Sequence, residues 1–119
     1  MKQPELNEGE IYAGAIINPD GTGHHVILLD GDNNATNWDD ATEWAQSIGD
    51  LPDRVEQALL YKRLPEQFKK DWYWSNETHA ADSDFAWCQG FYGGGQPSHR
   101  KGGNLRARSV RRVVMEVTK

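Results

Sequence analysis

One cysteine, Cys88, is all the chain contains, so it can form no intrachain disulfide and no multi-cysteine zinc site. No stretch approaches the roughly 18 consecutive apolar residues that a membrane-crossing helix needs. The N-terminal MKQPELNEGE is polar and acidic and lacks the apolar stretch of a signal peptide, although a processed precursor would look the same. These scarcities point to a reducing compartment, the cytoplasm of the producing host cell, and are also compatible with a virion. At 119 residues the chain has the size of a single domain spanning 1–119, with 37% hydrophobic residues to build a modest core.

Charge is unevenly placed. Residues 1–95 carry 6 Lys/Arg against 17 Asp/Glu, a net −11, whereas residues 96–119 carry 7 Lys/Arg against Glu116 alone, a net +6. A basic tail of this kind can bind nucleic acid, through Arg100, Lys101, Arg106, Arg108, Arg111 and Arg112. The alternative is a basic strand packed beside an acidic remainder. The net charge of −5 favours the second reading, because phosphate repels an acidic protein at long range.

The runs at 10–18 and 24–30 are rich in β-formers and flank Pro19-Asp20-Gly21-Thr22-Gly23, which predicts a hairpin. GDNNAT then reads as a polar loop. Trp38, Ala41, Trp44, Ala45 and Ile48 recur at helical spacing, after a Thr36 or Asn37 cap and before the stop at Gly49. A second helix opens at Asp53, which has capping-box spacing to Glu56. Val55, Leu59 and Leu60 form its apolar side, and it ends near Arg63 ahead of Pro65. Trp72–Ser75, Phe85–Phe91 and Leu105–Val117 are the remaining candidate strands, with GGGQPSHRKGG between the last two as an irregular segment. Two strands, two helices and further strands argue for an α+β fold and against a doubly wound sheet.

Constellations that resemble known chemistry break down on inspection. Asp30, Asp32, Asn34 and Thr36 imitate the start of a calcium loop, but Ala35 and Ala41 occupy the positions that need Gly and Glu. Asx-turns leading into the helix cap explain them better. Adjacent His24 and His25 point to opposite faces of a strand and cannot readily share a metal; His79 and His99 lie in loops. No metal, cofactor or catalytic residue is expected.

Seven of the 12 aromatic residues fall within 72–92. Alternation puts Phe85, Trp87, Gln89 and Phe91 on one face of a strand, predicted as core. Ala86, Cys88, Gly90 and Tyr92 then share the other face, either as an exposed platform or covered in a central strand. The Gly-rich segment that follows is expected at the surface, where functional loops sit. The expected binding surface is therefore Tyr92, Gln96, Ser98, His99 and Arg100, with Cys88 and Gly90 as its floor.

LPDRVEQALL, DWYWSNE, AWCQGF with its following GGQ, and RARSVRR occur in that order. Together they resemble the Lcl C-terminal-like domains, a family of unknown function that recurs in bacterial surface and phage proteins. The likeness runs over roughly residues 10–114. It implies a C-type-lectin-like fold, with two helices packed on small antiparallel sheets, long loops and paired terminal strands. It also implies ligand contact near Ser98, His99 and Arg100, as in diversified phage receptors. The chain lacks the extra Gly the family carries before Leu51-Pro52, and a lone Cys88 argues against the oxidase branch of the wider group. The resulting expectation is a non-enzymatic module for a protein or small ligand, in a phage or prophage accessory or virion protein, with nucleic-acid binding as the alternative.

Overall fold

The computed structural model describes residues 2–115. The first hairpin forms as its turn chemistry requires. Strands β1 (Ile11–Ile17) and β2 (Gly23–Leu28) pair antiparallel, and the Thr22 carbonyl accepts from the Asn18 amide at 2.7 Å. The Asp20 carboxylate accepts from both the amide and the hydroxyl of Thr22, and Gly21 takes φ +88°. GDNNAT is not wholly a loop, since β3 (Asn33–Thr36) lies within it.

Helix α1 (Trp38–Gln46) is capped by the Asn37 side chain, which accepts from the Asp40 amide at 2.9 Å. It closes where Gly49 donates to the Ala45 carbonyl. No other residue fits at that point, because a Cβ on Gly49 would lie 2.3 Å from the Val110 carbonyl oxygen. Helix α2 (Arg54–Arg63) begins with the full capping box of Asp53 and Glu56, and a turn of 3-10 helix follows at Pro65–Gln67.

Strands β4 (Trp72–Thr78), β5 (Phe85–Gly90), β6 (Ser98–Arg100), β7 (Leu105–Ala107) and β8 (Val110–Val114) complete two sheets. One has the order β1-β2-β8 and the other β3-β7-β4-β5-β6. The architecture is thus α+β, two helices on two sheets. Three details differ from expectation. The single strand foreseen at 105–117 is two, because Arg108 and Ser109 carry the chain from one sheet to the other; Glu116 and Val117 lie outside the described residues. The last described strand pairs with β2, so the terminal strands flank β2 instead of joining each other. The larger sheet is not purely antiparallel, since β4 and β7 run parallel.

Side-chain alternation along the larger sheet feeds two cores. Tyr73 joins Val26, Leu28, Leu60, Phe68, Phe91 and Val110 on the side of α2 and the smaller sheet. Trp74 joins Ala41, Ala45, Leu51, Ala86, Cys88, Leu105 and Ala107 beneath α1. Phe68 stacks on Phe91 with centroids 3.9 Å apart, and Tyr73 meets both rings edge-on.

The α1 stripe is buried at Ala41 and Ala45 and half-buried at Trp38 and Trp44, but Ile48 is 50% exposed beyond the last turn. In α2 the expected apolar side holds at Leu60, which is buried, and at Leu59, which packs on the same core, but Val55 is 61% exposed and Glu56 and Gln57 face inward beside them. Polar contacts add to this attachment, among them Gln57 donating to the Tyr73 carbonyl at 3.1 Å. Replacing Leu60 with Ala should therefore cost about 2–5 kcal/mol in urea denaturation. Val55→Ala should change stability by less than about 0.5 kcal/mol. The reverse ranking would mean that α2 is rotated about its axis.

Candidate functional site

β5 is bordered by β4 on one side and β6 on the other, so neither of its edges is free. The face expected as a platform is buried at Ala86, Cys88 and Gly90. Ala86 and Cys88 lie against the small residues of α1, and Cys88 is 1% exposed. Its thiol donates to the Pro97 carbonyl at 3.3 Å, and burial pushes its pKa up to about 11. Gly90 is buried because the Trp72 indole lies on it; a Cβ there would approach the ring to 2.6 Å. Cys88 and Gly90 are thus core residues and not the floor of a site. Small side chains on this face let the helix come close, which is why it is covered. The more aromatic face is covered by different means. The Arg54 guanidinium sits 3.8 Å from the centre of the Trp87 ring, and His79 stacks on that ring at 4.7 Å.

The remaining expected residues do not converge either. Gln96 braces the loop from within, donating to the Arg54 carbonyl at 2.7 Å and to the buried Gln89 side chain at 2.8 Å. Tyr92 is 81% exposed, with the Lys70 ammonium 5.8 Å from its ring centre. It follows the far end of β5, whereas Arg100 is paired with Phe85 at the near end. At about 3.3 Å per residue, that strand alone separates the two by roughly 17 Å.

His99 and Arg100 belong to a shallow groove of about 610 Å³ where the β6–β7 turn meets the start of α1. Lys101 fixes the turn by donating its amide to the Asp84 carbonyl at 2.8 Å and accepting from the Trp38 amide at 2.9 Å. Its ammonium lies 4.4 Å from the centre of the Trp38 ring, and the Arg100 guanidinium lies 5.4 Å from that of Phe85. Both cations are therefore steadied by aromatic rings. The His99 ring meets Trp74 edge-on at 5.9 Å and fills the place a side chain at Gly103 would need. Asp39 and Asp84 complete the lining, and no ion pair among the described residues engages either of them, Arg100 or Lys101. On the other side of β6 a smaller hollow, about 240 Å³, is lined by His79, Asp82, Phe85 and Ser98.

The other basic residues of the C-terminal segment among the described residues, Arg106, Arg108, Arg111 and Arg112, are committed internally. Arg106 reaches Asp71 and Asp32, and Arg111 grips both oxygens of Glu10. Arg112 grips both oxygens of Glu56 and also Asp50. Arg108 is buried and donates to the carbonyls of Gln67 and Leu29. Of the residues of the would-be calcium loop, Asp32 accepts from Tyr73 and Arg106, Asp30 accepts from the Gly31 amide, and Thr36 pairs with Leu105 of β7 in a strand. His24 and His25 do point apart, to Glu56 and to Tyr12 respectively. Sequence reasoning missed Asp39 and Asp84 as groove residues. Each sits beside an element boundary with no spacing that links it to Arg100.

Comparison of the sequence with protein-family models gives no match, and comparison with curated proteins gives none either.

Two outcomes follow from these environments. The Cys88 thiol should resist alkylation by iodoacetamide at pH 8 in the native protein and react promptly in urea, as mass spectrometry would register. Rapid native labelling would place it at the surface after all. The second concerns acid. Arg111, followed by the Asn7 backbone, holds the Glu10 carboxyl at about 2, below its ordinary 4.5. A carboxylate depressed on folding contributes stability that is full above the unfolded value and is lost as pH falls through the folded one. The urea midpoint should therefore decline between about pH 4.5 and 2, and Arg111→Gln should flatten that decline. An unchanged slope in the variant would remove Glu10 as a contributor.

Proposed function

We propose that the chain is a non-enzymatic binding module of C-type-lectin-like fold, serving as a phage or prophage accessory or virion protein. It takes a protein or small ligand in the groove at Arg100 and Lys101. One contrast carries this reading. Arg106, Arg108, Arg111 and Arg112 all have internal partners, whereas Arg100 and Lys101 line the groove with no carboxylate bound to them among the described residues. Charges that fold stability does not occupy are available to a ligand, and Asp39 and Asp84 nearby add specificity through the opposite sign.

The lectin-like assignment is supported by the ordered motifs around Leu51-Pro52, Trp72–Glu77, Ala86–Phe91 and Arg106–Arg112, and by two helices on two sheets. The buried, alkaline-shifted thiol of Cys88 and the fully occupied carboxylate of Glu56 are unsuited to nucleophilic or acid–base work. The commitment of four arginines to internal contacts weighs against nucleic-acid binding through this segment.

The test is a selection on the immobilised protein from a displayed library of random ten-residue peptides. Enriched peptides should lose 10-fold or more in affinity for an Arg100→Glu/Lys101→Glu double variant, about 1.4 kcal/mol. Undiminished binding by that variant would move the site away from the groove. Tight, salt-sensitive binding of a DNA duplex by the parent at physiological ionic strength would replace the reading with the nucleic-acid one.

A further inference from the structure

β6 closes the larger sheet at one end, and it is paired on one side only. Its register settles which backbone groups are spent. The Cys88 amide donates to the Pro97 carbonyl and the Lys101 amide donates to the Asp84 carbonyl. In an antiparallel ladder the hydrogen-bonded positions alternate, so 97, 99 and 101 turn their backbone groups toward β5, and Ser98 and Arg100 turn theirs away. The Arg100 carbonyl is used by the Gly103 amide. That leaves both backbone groups of Ser98 and the amide of Arg100 directed outward, with no backbone partner among the described residues.

The other sheet edges carry devices that discourage strand addition. Val110, at the start of β8, exchanges both backbone hydrogen bonds with Asp50. β1 has a register break at Tyr12/Gly14, and β3 has one between Asn33 and Thr36. β6 has a regular register and a hollow on each side: the charged groove, and the smaller one at His79 and Ser98.

We infer that β6 is a strand-addition site, at which an extended peptide segment of a partner protein pairs with the outward groups of Ser98 and Arg100. Side chains of an added strand alternate between the two faces of the sheet and so reach both hollows. The sign of the lining charges states the partner's chemistry: an acidic side chain to meet Arg100 or Lys101, and a basic one to meet Asp39, Asp82 or Asp84. The inference rests on the proposal that this groove is the binding surface, and it adds the backbone as the second recognition element.

The probe is a synthetic, end-blocked peptide of about nine residues in which glutamate and lysine alternate with threonine. Its control carries N-methyl groups on alternate amides, which removes the ladder and leaves the charges. With the parent protein, the unmodified peptide should slow amide hydrogen exchange at Ser98 and Arg100 by 10-fold or more, and the N-methylated peptide should bind at least 10-fold more weakly. Ser98→Pro removes an outward N–H at an edge position where proline is tolerated, and should weaken the unmodified peptide by a similar factor. If N-methylation and Ser98→Pro have no effect while Arg100→Glu/Lys101→Glu still weakens binding, strand addition is overturned and the groove proposal stands. If the peptide binds and none of these changes matters, both fall; if the peptide does not bind at millimolar concentration, strand addition falls and the groove reading is decided by the library selection.

Discussion

A carboxylate removed from water stays ionised only where cations and donors replace the lost hydration, and Glu56 is such a carboxylate. One oxygen accepts from the Asp53 amide and from Arg112; the other accepts from Arg112 and is 2.7 Å from the His24 ring nitrogen. Burial pushes its pKa up, but Arg112, the Asp53 backbone and His24 pull it down further, so it lies below the ordinary value. Asp53 starts α2, His24 is on β2 and Arg112 is on β8. A single side chain therefore fixes the helix start to two strands of the smaller sheet. Arg112 extends the junction to Asp50 and the Leu51 carbonyl, which close the connection between the helices. This junction fixes the first turn of α2, where Val55 is exposed, and Leu59 and Leu60 on the core fix the turn that follows.

The second constraint is the passage of the chain from one sheet to the other at Arg108 and Ser109. A peptide switching sheets inside a core must find partners for groups that a ladder would otherwise satisfy. Here the Ser109 carbonyl accepts from the Leu29 amide, and the Ser109 hydroxyl lies within hydrogen-bonding distance of the Ala45 and Asp50 carbonyls. Arg108 is held over the Phe68 ring at 5.3 Å and donates to carbonyls at Gln67 and Leu29. Among the described residues no carboxylate forms an ion pair with it, and burial lowers its pKa. Its work is that of a spacer with donors, tying together segments that no regular hydrogen-bond ladder connects.

What could be read from the sequence follows from how local its causes are. The hairpin turn at Pro19–Gly23, the Asn37 cap, the Asp53/Glu56 box and the stop at Gly49 depend on residues a few positions apart, and each takes the form its chemistry dictates. Faces are different, because burial is decided by what arrives from elsewhere. Ranking the faces of β5 by aromatic content selects Phe85 and Trp87, yet α1 packs most closely where Ala86 and Cys88 leave room for Ala41 and Ala45. Periodicity of apolar residues in α2 finds Leu59 and Leu60, which do face the core, but adds the exposed Val55 and overlooks Glu56 and Gln57, whose burial is made tolerable by partners on β4, β2 and β8. The proposed site fares similarly. His99 and Arg100 are found in the groove, but no spacing brings Asp39 and Asp84 to them, and the length of β5 carries Tyr92 away.

The charge asymmetry of the sequence thus resolves into two populations. Basic residues on β7, β8 and the crossing between them are drawn inward by Asp32, Asp50, Glu10, Glu56 and Asp71, which converts an apparent basic tail into internal ties. Arg100 and Lys101 escape this at the end of β6 and the start of the turn that follows it. Aromatic rings, not carboxylates, hold them there, and a ring leaves a cation's hydrogen-bonding groups unspent where a carboxylate would occupy them. Water solvates such surface cations at little cost to the fold, so a ligand carboxylate can take its place. Their placement together on β6 and its turn is what the proposal of a binding groove at that corner rests on.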